Sequence, residues 1–233
     1  MYHPFSVTET LSIAWHILKR NFATVAVYTL LSVAIVFGTG LLVKFILIDM
    51  VIATISGIFS IFLISFIFLG FIKLIFQLID KEYYDFGFGD IVPTIKMLLS
   101  YILLLVIVST ITVFISAGIK TLDEGILQSI LGIFSAIFFE VFFLFYFPIC
   151  ACFIVDDNSG PFESVIQSFQ LIKGNFLKYL LLFLLIEAMV FLGSITVIGM
   201  VFVVPFVNIL LVVAYRKLVY SHLDVDDDIT ETV

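Results

Sequence analysis

Two carboxylates lie inside long apolar runs of the sequence, where an ionisable side chain is a candidate for chemistry. Glu140 lies at the centre of one run, Glu187 lies in a second and Asn208 lies in a third. An ionised group at bilayer depth costs about 2.5–3.5 kcal/mol on insertion scales, so such residues are functional hypotheses by default. The three side chains form a candidate intramembrane polar site for a proton or a ligand. The alternative is that each carboxyl group is protonated and hydrogen-bonded to a neighbouring helix, where it holds helices together.

A second group of carboxylates lies in the stretch YYDFGFGD, residues 83–90. It contains a YD pair ending at Asp85 and a GxGD pair ending at Asp90, and such pairs mark the aspartyl proteases that cut within membranes. In those enzymes two successive membrane helices each supply one aspartate. Here the two aspartates are only five residues apart, and the Pro-Ala-Leu segment of that family is absent. We therefore expect Asp90 to cap the N-terminus of a helix, with Pro93 in its first turn.

The other common catalytic motifs are missing from the sequence. It has no H-E-x-x-H zinc motif, no G-x-S-x-G elbow and no P-loop. The two cysteines, Cys150 and Cys152, form a C-x-C within an apolar run, which favours buried, reduced thiols over a metal site. We expect no catalytic residue, no cofactor and no metal, and therefore no enzyme.

The composition of the chain indicates that these residues lie on membrane-spanning helices. The 233-residue chain is 63% hydrophobic and 12% charged, whereas a soluble domain carries about 25% charged residues. A surface so poor in polar groups requires lipid as its solvent, and about 20 apolar residues suffice for a helix to cross the bilayer. The sequence has no basic stripe of the kind that indicates nucleic-acid binding. We expect an all-α, polytopic membrane helical bundle with six transmembrane helices, at approximately 22–45, 50–79, 97–119, 126–155, 175–193 and 195–219.

Lysine and arginine residues set the expected orientation, because they accumulate on the cytoplasmic side of short loops. With six spans both termini lie on one side, and nine of the eleven cationic residues flank that side. The two exceptions are Lys44 and Lys120. We therefore expect both termini in the cytoplasm and the chain in a bacterial inner membrane. A single integral membrane domain over residues 1–221 would precede an acidic cytoplasmic tail over residues 222–233.

A similar segment precedes each odd-numbered span. FSVTETLSIAWHILKRNF and GPFESVIQSFQLIKGNF both end in Lys-x-Asn-Phe, 154 residues apart, and FGDIVPTIKMLL lies half-way between them. Apolar residues at helical spacing in all three segments predict three interfacial amphipathic helices. We interpret the chain as a possible threefold repeat of about 77 residues, each copy an amphipathic helix followed by two spans. The copies would cover about 5–79, 86–155 and 160–221.

The amphipathic helices also carry candidate lipid contacts. Lys19, Lys96 and Lys173 occupy corresponding positions, and each could bind an anionic headgroup with about 1 kcal/mol near the membrane surface. A compatible alternative is that these helices pack against the bundle and the lysines only mark its inner boundary. The predicted apolar stripes are Val7, Leu11, Ala14, Trp15 and Leu18 in the first helix, Phe88, Ile91, Val92, Ile95 and Leu99 in the second, and Phe162, Val165, Ile166, Phe169 and Ile172 in the third.

The last third of the chain resembles a known group of proteins. ESVIQSFQLIKGNFLKYLLLFLLI, and VVPFVNILLVVAYRKLV after a glycine-bearing hairpin, are similar to segments of a family of uncharacterised bacterial six-span membrane proteins. That family is similar to the membrane domain of some glycerophosphodiester phosphodiesterases. The resemblance implies a six-span inner-membrane protein without catalytic residues of its own. Its marks here are Ser168, Lys173, Gly174, Asn175, Phe176, Gly199, Pro205, Ala214 and Tyr215.

Two functions are compatible with these observations. Short loops, lipid-like surfaces and the missing catalytic motifs favour a non-enzymatic scaffold or accessory subunit of a membrane assembly. Such a subunit would bind membrane lipids and either a protein partner or a second copy of itself. The alternative is a small transporter or lipid-handling protein that uses Glu140, Glu187 and Asn208, and it predicts a polar or lipid-sized cavity that reaches Glu140 between helices.

Overall fold

Helices account for nearly all of the described chain. The α-helices are α1 (Val7–Arg20), α2 (Phe22–Ile46), α3 (Met50–Asp80), α4 (Ile95–Lys120), α5 (Ile126–Val141), α6 (Phe147–Asp156), α7 (Pro161–Lys173), α8 (Phe176–Ser194) and α9 (Val197–Thr230). A π-helical turn, Phe142–Tyr146, joins α5 to α6, and a short 3₁₀ helix, Phe88–Ile91, precedes α4. The structure is a computed structural model that describes residues 5–46, 50–80, 87–122 and 125–230. Tyr84 and Asp85 of the YD pair lie outside these ranges.

Six of the helical segments are long and apolar enough to cross a membrane, as the sequence predicts. The chain is therefore an all-α bundle of the polytopic membrane class. The second, third and fourth segments have 30, 32 and 31 residues, more than the roughly 20 that a bilayer requires. Helix α9 continues past the sixth segment, so residues 222–230 of the predicted acidic tail extend this helix. The segments are Phe22–Val43, Val51–Asp80, Gly89–Lys120, Ile126–Asp156, Phe176–Ser194 and Gly199–Tyr220.

The second, fourth and sixth spans form the core of the bundle, where α3, α6 and α9 contact one another. Their buried side chains lie in the C-terminal part of each span, for example Ile75, Ile154 and Leu210. We call this end of the bundle the terminal end, and the opposite end, where short connections join the spans in pairs, the hairpin end. Toward the hairpin end, Phe37 and Phe134 are 67% and 69% exposed. The bundle is thus tightly packed at its terminal end and open at its hairpin end.

The first, third and fifth spans lie outside this core, and an aromatic pair joins each of them to a core span. Tyr179 also donates its hydroxyl hydrogen to the carbonyl oxygen of Phe145 over 3.0 Å. Aromatic pairs contribute about 0.5–1.5 kcal/mol beyond the burial of their area. The distances between ring centroids are 5.9 Å for Phe22–Phe202, 5.6 Å for Phe68–Tyr101 and 4.7 Å for Phe145–Tyr179.

The first amphipathic helix, α1, packs against α9. Ala14 and Leu18 of its predicted stripe are buried, whereas Trp15 is 50% exposed. The Trp15 ring meets the ring of Phe206 edge-on at 5.9 Å. Helix α1 is therefore part of the bundle's own packing, and its tryptophan lies at the edge of that contact.

The third amphipathic helix, α7, packs against α6 and buries small side chains in that contact. Its small Ser164 and Ser168 are fully buried, while Phe162 and Ile166 of the predicted stripe are 68% and 57% exposed. The Ser168 hydroxyl donates to the carbonyl oxygen of Ser164 over 2.6 Å, so the serine costs little to bury. Small residues let two helices approach closely, and lipid accepts bulky apolar side chains as readily as a protein core does. Of the stripe, Ile172 is buried.

The predicted second amphipathic helix does not form. Asp90 does not cap an α-helix, because its carboxylate accepts from the backbone N–H of Gly87 over 2.7 Å and closes the four-residue 3₁₀ helix. Val92 follows in an extended conformation, with φ −73° and ψ 122°, as expected for the residue before Pro93. The residue that caps α4 is Thr94, whose hydroxyl oxygen accepts from the N–H of Met97 over 3.3 Å.

Candidate functional site

A cleft with seven polar residues among the twelve in its lining lies between α4 and α5, toward the hairpin end, and we call it the polar cleft. Its volume is about 560 Å³, and Glu140 lies at the end farther from the hairpin, which we call the deep end because it lies farther along the span. The transporter or lipid-handling interpretation predicts such a cavity. Most of its lining residues are polar or small, although both helices are otherwise strongly apolar. The polar side chains that line it are Thr112, Ser116, Lys120, Gln128, Ser129, Ser135 and Glu140.

Helical spacing brings these side chains together. On α4, Thr112, Ser116 and Lys120 follow one another at four-residue intervals, which places them on one face of the helix. On α5 the facing stripe runs from Gln128 to Glu140 through residues three or four apart. This stripe was not among the predicted site residues, although the four-residue spacing of hydroxyl residues within a membrane span is a signal that indicates it.

Glu140 is the lining residue whose charge most requires a hydrogen-bond or ion-pair partner, because it is a carboxylate within a membrane span. It is exposed to the cleft and lies near the middle of the fourth span. Among the residues that the structure describes, no hydrogen bond or ion pair involves its carboxylate. The only cation in the lining is Lys120, at the opposite end of the cleft. Because Ser129 to Glu140 spans about 16 Å along α5, the cleft reaches from near the start of the fourth span to about its middle.

Two of the four hydroxyl groups in the lining point their donors away from the cleft. Thr112 donates its hydroxyl hydrogen to the carbonyl oxygen of Val108 over 2.8 Å, and Ser129 donates to that of Gly125 over 3.2 Å. Only the oxygen lone pairs of these two hydroxyl groups then remain for a ligand. Together with the carboxylate of Glu140, they give much of the cleft the character of a hydrogen-bond acceptor.

An apolar cleft of about 350 Å³ adjoins the polar one toward the terminal end, and Phe139 lines both. Every side chain in its lining is apolar, and three helices supply them: α4, α5 with its π-helical turn, and α7. The exposed stripe of α7, which includes Phe162 and Ile166, forms one wall. The exposed stripe of α7 therefore encloses an apolar space next to Glu140.

The structure does not bring Glu187 and Asn208 into the Glu140 cleft, and neither residue lines it. Glu187 is half-buried on α8. Asn208 is half-buried on α9, and its side-chain amide donates to the carbonyl oxygen of Val204 over 2.8 Å, one turn back in the same helix. Of the three predicted polar residues, only Glu140 lines this cleft.

The three predicted headgroup lysines are all exposed. Lys19 lies with its Nζ atom 5.0 Å from the centre of the Trp15 ring. Lys96 lies in the first turn of α4. Lys173, with Phe169 and three other side chains, lines a shallow cleft of about 310 Å³.

A charged cluster at the terminal end joins the three core spans, and the sequence analysis used its arginine only to set the orientation. An Nη atom of Arg216 lies 3.3 Å from a carboxylate oxygen of Asp80 and 3.4 Å from one of Asp156. Tyr215 donates its hydroxyl hydrogen to Asp156 over 3.1 Å. The guanidinium group also lies 4.7 Å from the ring of Phe76. Because these contacts link α3, α6 and α9, we call the cluster the Arg216 clamp.

Metal and thiol chemistry receive no support from the described residues. Within the described ranges, no group of three or more His, Cys, Asp or Glu side chains could hold a metal ion. Cys150 and Cys152 are free and buried, as predicted.

The chain matches no family model, no curated protein and no solved structure. The functional assignment therefore depends on the two clefts and on the charges around them.

Proposed function

We propose that this chain is a non-enzymatic, lipid-handling membrane protein whose site is the Glu140 cleft. The observation that carries the proposal is a carboxylate at mid-span that faces a polar cleft and lacks a partner among the described residues. An uncompensated carboxylate at that depth is costly. A proton or a ligand that enters the cleft lowers this cost, and the open volume beside Glu140 favours a ligand.

A lipid fits this site better than a water-soluble solute. Glu140 lies at the surface of the protein, and Ile137 and Phe138 beside it are 55% and 58% exposed. A ligand can therefore enter from the side, out of the hydrocarbon layer. The apolar cleft that shares Phe139 with the polar cleft offers an apolar surface against which an acyl chain that leaves the polar cleft sideways can lie.

The proposed setting is a bacterial inner membrane with both termini in the cytoplasm. The bias of nine in eleven cationic residues toward the terminal end supports this orientation. In this setting α1 and α7 lie at the cytoplasmic interface, where Lys19, Lys96 and Lys173 are exposed and contact anionic headgroups.

The proposed threefold repeat accounts for the order in which the elements pack. Helix α1 packs on α9, the 3₁₀ helix packs on α3 and α7 packs on α6, so each of these segments contacts the second span of the copy before it, in cyclic order. Two ring contacts support the same arrangement, since Phe68–Tyr101 and Phe145–Tyr179 have nearly the same spacing along the chain. In this interpretation the middle copy has reduced its amphipathic helix to a single 3₁₀ turn.

A scaffold or accessory role is a second proposal, supported by the open hairpin end. Exposed apolar side chains extend along both α2 and the N-terminal half of α3, with Phe37 67% and Ile55 62% exposed. Such a surface suits a membrane partner or a second copy of the chain as well as lipid. Chemical cross-linking in native membranes tests this role, and a chain that stays monomeric there contradicts it.

The lipid-handling proposal is tested by measuring the lipid that stays bound through purification in mild detergent, with mass spectrometry as the readout. We expect at least one phospholipid per wild-type chain and a clear loss of it in Glu140→Gln. Glu187→Gln is the matched control, because it neutralises an intramembrane carboxylate that lies outside the cleft. Purified wild-type protein without lipid, or equal lipid in both variants, contradicts the proposal.

A further inference from the structure

The lining of the Glu140 cleft has different hydrogen-bonding character at its two ends. Lys120 and Gln128 line the mouth, near the hairpin end, and supply N–H donors. The deep end has Glu140 and, on the facing helix, Thr112, whose hydroxyl hydrogen is already donated to Val108. Among the described lining residues, the cation thus lies at the mouth and the carboxylate at the deep end.

A ligand that complements this cleft carries an anionic group and a cationic group with N–H donors. The cation belongs at Glu140, because no described cation lies there, and charge-assisted hydrogen bonds are about twice as strong as neutral ones. The anion belongs near Lys120, where an ammonium group and an amide are available. A headgroup with only negative charge meets the Glu140 carboxylate without compensation, which costs energy in a low-dielectric setting.

We propose that the Glu140 cleft selects phospholipids with a primary-ammonium, zwitterionic headgroup, such as phosphatidylethanolamine. The ammonium group binds the Glu140 carboxylate and donates to the Thr112 oxygen, while the phosphate lies toward Lys120 and Gln128. A choline headgroup has the same net charge but no N–H donor, so it leaves these acceptors without hydrogen bonds. This inference rests on the proposed lipid-handling function and adds the headgroup class to it.

The test is lipid competition followed by native mass spectrometry. Purified full-length protein is equilibrated with an equimolar mixture of phosphatidylethanolamine, phosphatidylcholine and phosphatidylglycerol with identical acyl chains. We expect the wild-type protein to retain phosphatidylethanolamine roughly tenfold over either competitor, the factor that one charge-assisted hydrogen bond supplies. Mono- and dimethylated ethanolamine lipids should show intermediate retention, because each methyl group removes one donor.

Three variants connect this preference to the cleft. Glu140→Gln should abolish the preference, and Thr112→Val, which keeps the shape of the side chain, should reduce it several-fold. Glu187→Gln should leave it unchanged. Each variant must keep its buried cysteines unreactive toward a thiol reagent, which shows that it is folded. A wild-type protein without preference, or one whose preference survives Glu140→Gln, overturns the inference.

Two further outcomes separate this inference from the proposed function. Lipid retention that depends on Glu140 but ignores the headgroup overturns the headgroup assignment and leaves the lipid-handling function in place. Lipid retention that is independent of Glu140 overturns both. In a final arm, soluble glycerophosphoethanolamine is added at the concentration of the lipid. Displacement of the lipid by this compound identifies a water-soluble ligand and also overturns the lipid assignment.

Discussion

Replacing Arg216 with glutamine should destabilise the whole bundle, because the Arg216 clamp links its three core spans. The Arg216 side chain is 24% exposed, and the Asp156 side chain it contacts is 23% exposed. After the replacement, Asp156 keeps its hydrogen bond from Tyr215 but loses its counter-charge. The replacement therefore leaves a mostly buried carboxylate without compensation.

The magnitude follows from the burial of the clamp. Removing one partner of a fully buried ion pair costs about 3–5 kcal/mol, and an exposed pair contributes about 0–1 kcal/mol. Asp80 is 46% exposed, and the Nε atom of Arg216 has no acceptor among the described residues. We therefore expect a loss of about 2 kcal/mol, or about 4–8 °C in Tm for a chain of this length.

The two native cysteines provide the assay. Cys150 and Cys152 are the chain's only cysteines, and both are buried in the core. A dye that fluoresces on reaction with thiols therefore reports unfolding as the purified protein is heated. Lys217→Gln is the control, since the Lys217–Glu9 pair is more exposed, at 30% and 50%, and its loss should cost less than about 1 kcal/mol.

A second substitution tests the physical reason for the loss. In the Arg216→Gln background, Asp156→Asn removes the uncompensated charge, so the double variant should recover part of the lost stability. Our reasoning about the clamp is refuted if Arg216→Gln melts no lower than Lys217→Gln, or if the double variant is less stable than Arg216→Gln alone.

The remaining predictions concern packing and pH. A Cβ atom at Gly193 would lie 2.8 Å from Val203 Cγ2, so Gly193→Ala should lower the stability of the fold by about 1–3 kcal/mol. The control is Gly38→Ala, which has open space around it and should not lower the Tm in the same thermal assay. Burial, and then the charge of Asp156, raise the pKa of Asp157, so its ionised form destabilises the fold above that raised pKa. Asp157→Asn should therefore raise the Tm at neutral pH. The difference in Tm should disappear below about pH 4, where the carboxyl group is protonated in the folded and the unfolded protein alike. A difference that persists there contradicts the idea that the ionised Asp157 destabilises the fold.

The number and ends of the spans could be predicted from the sequence because lipid imposes them. Long apolar runs end at charged or turn residues, and five of the six observed segments begin and end within four residues of the predicted bounds. The third segment begins eight residues earlier than predicted, at Gly89. The faces of the helices could not be predicted in the same way. In water, apolar residues mark the buried face, but in lipid the small Ser164 and Ser168 are buried while Phe162 is exposed.

The candidate site was predicted only in part. Glu140, Glu187 and Asn208 were all predicted because each lies well inside an apolar run. The free-energy cost of a polar side chain there depends on its position along the span, which the sequence shows, and not on which helix packs against it, which the sequence does not show. Only the packing of α4 on α5 distinguishes Glu140 from the other two. The error at Asp90 has a local cause, since Pro93 forces Val92 out of the helical conformation and moves the start of α4 to Ile95.

The central claim is that a lipid occupies the cleft between α4 and α5 with its headgroup on Glu140. The most direct measurement is an experimental structure of the protein in native-lipid nanodiscs, at a resolution that shows bound lipids. We predict elongated density in the cleft that ends within about 3 Å of the Glu140 carboxylate. A closed cleft, or one filled by another protein chain, would contradict the claim.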